Sequence, residues 1–250
     1  MKKLSISIAI ILVLLVGQSA FAAYTSIGIS VGYTNLSGKY DLTSIGYPTT
    51  NDTFNGVQAV LSSNYYSSSR LSALARIGLA LGKTTSTDPG GLVFDTFMAN
   101  IHAFGKYEVI SNQTFGISPQ IGLILDIERS EHYFNPSDKE EYERTALLFA
   151  AGLYIRATIT PRIDAYVDLK FPFLSVGSDS DAVPDGFTSA FKHFLYDVII
   201  GATYEFLPNM ALGLELNISN AGVKQFISLA SDSDLSSFGF SIGGKFEYRF

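Results

Sequence analysis

Three histidines, His102, His132 and His193, are the candidate general bases of this 250-residue chain, and it has no cysteine to serve as nucleophile, thiolate ligand or disulfide partner. A histidine base needs a carboxylate within hydrogen-bond reach to orient it. Asp197 follows His193 by four residues, which along an extended strand is about 13 Å and too far for contact. No nucleophile and base constellation emerges, so no catalytic residues are expected. Two Asp-Ser-Asp triplets, at 179–181 and 232–234, carry hard oxygen ligands. Without a glycine-centred ligand loop or a closing glutamate at calcium-motif spacing they read as solvated loop residues, and neither a metal site nor a cofactor is expected.

The remaining charges follow a pattern. Seven basic residues, Arg76, Lys106, Arg156, Arg162, Lys170, Lys245 and Arg249, share a two-residue parity with seven acidic ones, Asp126, Asp164, Asp168, Asp197, Glu205, Glu215 and Glu247. Glycine, serine and threonine join them, and apolar residues take the other parity. From Ser236 to Phe250, for example, Phe238, Phe240, Ile242, Phe246, Tyr248 and Phe250 oppose Gly239, Ser241, Gly243, Lys245, Glu247 and Arg249. Leu71–Gly82, Arg162–Phe171 and Met210–Ser219 repeat the separation. Such two-faced alternation predicts β-strands. Balanced charges on one face predict a paired network filling a narrow interior, since a buried charge is costly unless compensated.

The elements that carry these residues are ten. Beside the four segments above, strands are predicted near 24–35, 54–65, 94–107, 114–127, 144–158 and 191–206. Long connections (36–53, 83–93, 128–143, 174–190, 220–235) alternate with short ones (67–69, 108–113, 160–161, 207–209), which puts both chain ends on the short side. The chain is 47 % hydrophobic, yet after residue 23 it has no apolar run long enough for a membrane helix. A spanning strand needs only about 9 to 11 residues, and these alternations last that long. Tyrosine and phenylalanine gather near the predicted strand ends, at Tyr24, Tyr33, Tyr65, Tyr66, Tyr107, Phe171, Phe173, Tyr204, Phe206, Tyr248 and Phe250, as interfacial girdles require. The expectation is an all-β, closed, antiparallel, up-and-down transmembrane barrel of ten strands, with eight as the alternative. Pro119 falls mid-strand on the apolar parity and predicts a bulge.

Lys2 and Lys3, the apolar run Leu4–Val16 and the small residues Ala20 and Ala22 form a secretory signal. It is expected at residues 1–22, with the barrel domain at 23–250. With Lys2 and Lys3 set aside from the 17 basic residues, 23 acidic ones dominate, so no field attracts nucleic acid. The third long connection is the most acidic, with Glu128, Glu131, Asp138, Glu140, Glu141 and Glu143, and could present a surface to an extracellular ligand.

The ending Phe246, Tyr248, Phe250 resembles that of the small bacterial outer-membrane β-barrel family of the OmpA/OmpX-like kind. The resemblance implies residence in the outer membrane among its lipids. It also implies handling by periplasmic chaperones, and a C-terminal signal read by the barrel assembly machinery. Lys245 stands where that family usually has glycine, five positions before the end. Barrel enzymes such as lipid A deacylases and omptin proteases rely on histidine, but their His-Ser, Asp-Asp and Asp-His pairs are missing. The expected role is therefore non-enzymatic, in envelope integrity or surface interaction through the outer loops. A small pore for ions or hydrophobic molecules is the alternative, and an outer-membrane hydrolase acting on lipid A or peptides a third.

Overall fold

On the strand Met210–Ile227 the apolar residues Leu212 and Leu214 are 52 % and 64 % exposed, whereas Ala211 and Glu215 are buried. Alternation by itself cannot say which face points inward. Here the apolar parity points outward and the polar parity inward, which is the inverse of a soluble barrel. The same holds on other long strands: Ile29, Val31, Val57, Leu79, Leu81, Ile121 and Ile242 are exposed, while Ser30, Ser62, Arg76, Gln120 and Lys245 are buried.

The computed structural model describes residues 24–41, 50–66, 70–86, 93–135, 138–179, 186–188, 196–227 and 231–250. Its strands are β1 (Tyr24–Asp41), β2 (Thr50–Tyr66), β3 (Leu71–Ser86), β4 (Val93–Tyr107), β5 (Ile110–Ser111), β6 (Phe115–Asn135), β7 (Asp138–Thr160), β8 (Ile163–Asp179), β9 (Gly186–Thr188), β10 (Tyr196–Leu207), β11 (Met210–Ile227) and β12 (Ser231–Arg249). Ten are long. β5 and β9 are short additions, within the β4–β6 connection and on the edge of β8. Each long strand pairs antiparallel with its neighbours, β8 pairs with β10, and β12 pairs with β1 from Ser26↔Arg249 to Asp41↔Asp234. The sheet therefore closes, which pairs the N–H and C=O groups that an open edge would leave facing hydrocarbon.

Short turns cluster at the end that holds the chain termini. Asn209 takes a left-handed φ of 70° in the two-residue turn that joins Leu207 to Met210, a conformation asparagine tolerates. In the β5–β6 turn the Asn112 side-chain oxygen accepts from the backbone N–H of Thr114 (3.0 Å) and Phe115 (2.7 Å).

At the opposite end the predicted boundaries need correction. Most of the predicted loop 128–143 is strand, with Arg129↔Glu143 and Glu131↔Glu141 in register. β6 and β7 run 21 and 23 residues, so about ten residues of each extend past what a bilayer needs. The sequence pattern stopped short because, outside the membrane, both faces of a strand are wet and alternation is no longer imposed. Arg162 also moves: it lies exposed in the β7–β8 turn, not in the interior. Tyr66 turns inward and leaves the aromatic girdle, whereas Tyr107, Tyr204, Phe206 and Phe250 remain exposed near the short turns.

Pro119 sits at a discontinuity. Its pairing with Leu153 of β7 is regular. On the other side the β4 ladder ends at Lys106↔Gln120, and pairing resumes one residue out of step at Ile110↔Ile117. The missing N–H thus falls where no ladder bond is made.

The outward direction of β11 makes a quantitative demand. Leu214→Arg should destabilise the barrel by about 2–4 kcal/mol in urea unfolding from phosphatidylcholine vesicles, the cost of a lipid-facing cation near mid-depth. An unchanged unfolding midpoint would place Leu214 away from lipid.

Candidate functional site in the lumen

Inward-facing charges meet in three groups, the first two of them joined. Nearest the short turns, Arg249 of β12 binds three carboxylates: Glu247 (Nε–Oε1 3.0 Å), Asp164 of β8 (Nη2–Oδ2 3.3 Å) and Glu205 of β10 (Nη1–Oε2 3.4 Å). Thr158 donates to Asp164 at 2.7 Å. One level further in, Glu215 of β11 receives Arg76 of β3 (3.3 Å), Lys245 of β12 (3.2 Å), the Ser30 hydroxyl of β1 (3.3 Å) and the Tyr166 hydroxyl of β8. Lys245 also reaches Glu247 at 3.3 Å, which joins the two groups.

In the third group Lys170, fully buried, bridges Asp168 (2.9 Å) and Asp197 (3.5 Å), and Gln120 donates to Asp168. All but Gln120, Ser30 and the tyrosine and threonine hydroxyls come from the charged set expected from sequence. The neutral partners share the inward parity, the one signal that pointed to them.

Tyr166 depends on a glycine across the ladder. A Cβ on Gly201 would lie 2.3 Å from the Tyr166 ring, so only glycine lets the ring lie flat and carry its hydroxyl to Glu215. Lys245, the departure from the family's usual glycine, is buried between Glu215 and Glu247 and so belongs to the same network.

Other expected residues lie apart. Asp126 is exposed toward the outer end, in register with Asn100 and Ala146. Arg156 is half-exposed and pairs at 3.7 Å with Glu108, a turn residue that sequence reading left out of the lumen. Lys106 is buried and, among the described residues, reaches only Asn64 (3.3 Å) and the face of the Tyr154 ring (4.0 Å). His102 is brought to 4.0 Å from Asp197 of β10, across the barrel, an approach that spacing along the chain did not indicate. This His102–Asp197 approach is enclosed by Lys170 and Phe104. Ala20, Ala22, and the side chains of His132, His193 and both Asp-Ser-Asp triplets lie outside the described residues.

Apolar side chains complete the filling. Leu74, Phe104, Ile124 and Ala150 pack together inside the barrel, with Leu148 against them, and Ile199 is buried nearby in parity with Asp197. Below this layer, toward the short turns, is a cavity of about 260 Å³ whose wall includes Tyr66, Tyr154, Tyr166, Asp168, Glu215 and Arg249. A smaller one of about 70 Å³ adjoins it, with Tyr66, Tyr154 and Arg156 common to both.

Closure, an apolar exterior and a paired polar interior define an integral β-barrel of the bacterial outer membrane. The chain belongs to the outer membrane protein beta-barrel domain family, whose model matches residues 8–250. No curated protein matches it significantly. Among solved structures it is similar to the outer membrane protease OmpT from Escherichia coli, with a TM-score of 0.64 and 13 % identity over 91 % of this chain and 97 % of that one. It is also similar to the transport unit of the autotransporter AIDA-I from Escherichia coli (TM-score 0.49, 10 % identity, 87 % and 89 % covered). A third is the outer membrane protein OprG from Pseudomonas aeruginosa (TM-score 0.41, 11 % identity, 90 % and 95 % covered). At such identities the likeness is one of fold.

The geometry ranks the ion pairs. Glu215→Leu leaves Arg76 and Lys245 buried without that carboxylate and should cost about 3–5 kcal/mol of unfolding free energy. Lys83→Ala, which removes an exposed pair with Asp95 at 4.0 Å, should cost under about 1 kcal/mol. Equal losses in denaturant titration of the two variants would contradict this ranking.

Proposed function

We propose that this barrel is a non-enzymatic envelope protein that acts through the hairpins it holds beyond the outer leaflet, not through solute passage along its lumen. The observation that carries this reading is the filled middle of the barrel. Leu74, Phe104, Ile124 and Ala150 lie beside the Lys170–Asp168–Asp197 and Arg76–Glu215–Lys245 groups, which leaves an enclosed apolar and paired layer where a pore needs a wetted path. Wide aqueous channels belong to barrels of about 16 or more strands.

A hydrolase finds little support. His102 is the histidine whose surroundings are described; it is 6 % exposed, and its nearest acid is beyond hydrogen-bond distance. An imidazole so little exposed offers a substrate a narrow approach. The acidic β6–β7 hairpin, with Glu128, Glu131, Glu140, Glu141 and Glu143, is the surface we assign to an extracellular ligand. Residues 1–22 are the export signal, cleaved after Ala22. Phe246 and Phe250 lie exposed on the lipid side of the closing strand, with Tyr248 edge-on to Phe250 at 4.8 Å. With Tyr248 they form the C-terminal signal that we assign to the assembly machinery and periplasmic chaperones.

The cavity of about 260 Å³ at the short-turn end is the feature that favours the second reading, a small pore or transport protein for ions or hydrophobic molecules. Planar-bilayer recordings separate the two. The purified barrel should give no steady unit conductance. A stable unit current that changes in Asp168→Asn or Arg156→Gln would overturn the proposal in favour of the pore.

A further inference from the structure

Among the described residues, every cation buried in the middle of the lumen but one has a carboxylate close by. Arg76, Lys170 and Lys245 find theirs at 3.3, 2.9 and 3.2 Å. Lys106 is as deeply buried, at 2 % exposure. Among the described residues, its ammonium meets only the Asn64 amide oxygen and the Tyr154 ring. Asp168, the acid whose charge acts on it, is already bonded to Lys170 and Gln120. A buried ammonium held by a neutral amide and a ring face is poorly compensated, because an ion taken from water needs an opposite charge or several strong acceptors in return.

Lys106 borders the cavity of about 70 Å³ at the short-turn end, and two further cations border it with Lys106: Arg156 and Arg70. The carboxylate on that wall is Glu108, 3.7 Å from Arg156. Three positive groups therefore face one negative group, while the adjoining larger cavity balances its signs. Arg70 is fixed at the rim by a left-handed φ of 65° and by the Glu108 N–H donating to its carbonyl at 2.9 Å. Tyr66, Tyr154, Ser72 and Ser118 add hydroxyl donors to the wall. At the ~10–15 Å³ that each water needs, this space holds on the order of five waters, the size of a five-atom oxyanion.

We infer that this cavity is a binding site for a compact oxyanion, a phosphate group, held by Lys106, Arg156 and Arg70 at the periplasmic end of the barrel. A phosphate would give Lys106 its missing counter-charge and would take charge-assisted hydrogen bonds from both guanidinium groups. Leu71, 54 % exposed toward lipid, also borders the cavity. The phosphate group can therefore come from free anion in the periplasm or from a phospholipid headgroup of the inner leaflet. The site stands independently of whether the lumen conducts.

The test uses the full barrel refolded in a phosphate-free maltoside detergent. Inorganic phosphate is titrated by calorimetry, and phosphatidylglycerol is added in mixed micelles with retention read by native mass spectrometry. Binding should saturate in the wild type. It should weaken by about tenfold or more in Lys106→Met and Arg156→Gln, the loss expected for one charged hydrogen-bonding group, and stay unchanged in Lys83→Met. Arg156 is half-exposed, so its variant keeps the test sound if the buried one fails to fold. Saturable inorganic phosphate identifies the free anion, and retention of phosphatidylglycerol alone identifies the headgroup; both uphold the site. No saturable binding of either, or equal binding in Lys106→Met, overturns it.

Discussion

Hydrocarbon offers no hydrogen-bond partner to a peptide group, and the architecture follows from that single fact. A sheet that must leave nothing unpaired has to meet itself, which it does where β12 lies against β1 and β10 against β8. Closing ten strands then fixes a narrow interior. Alternate residues must point into it, so half of each membrane-spanning segment becomes a packing problem in a confined polar space. Small residues answer part of it. At Gly32 a Cβ would fall 2.0 Å from the Ile242 carbonyl, so the β1–β12 approach there admits only glycine. Charged pairs and a few apolar side chains answer the rest.

The interior does not resemble a soluble core. Charges sit at depth, but in groups where each acid meets several cations or each cation several acids, as with Glu215 and Arg249. Sharing of this kind reduces the cost of burial, since each ion is solvated by more than one partner. The apolar residues Leu74, Phe104 and Ile124 fill volume that a charge could not occupy without a mate. Unequal compensation is then informative: Lys106, a thinly matched ammonium, borders an open space and not a packed one.

The number of strands, their antiparallel order, the side on which both termini lie and the parity of nearly every lumen charge were legible in the sequence, because a lipid boundary writes a two-residue period directly into it. What stayed hidden was azimuth. Period two says that Arg76 and Glu215 both point inward, but they meet across the lumen only through the stagger and tilt with which the sheet closes, and no short stretch of sequence encodes that. The same gap hid the partners of Asp197, Lys170 and His102, which come from other strands. Strand ends were also missed on the outer side, where water wets both faces and the periodic signal stops before the hydrogen bonding does. Tyr166 and Gly201 were unremarkable separately; their register, Gly201↔Tyr166, makes them a unit.

The partition of ionic partners among strands sets an order of events. Arg249, Asp164, Glu205 and Glu247 all belong to β8, β10 and β12, and Lys245 and Tyr166 reach Glu215 within the same run of neighbouring strands. That C-terminal sheet can assemble its charges while still an open ribbon. Arg76 and Ser30 come to Glu215 from 139 and 185 residues away in sequence, and they can arrive only once the ribbon has curled shut. The carboxylate of Glu215 is thus half-satisfied in the open form and complete in the closed one, which makes it a chemical latch for the last step of barrel formation.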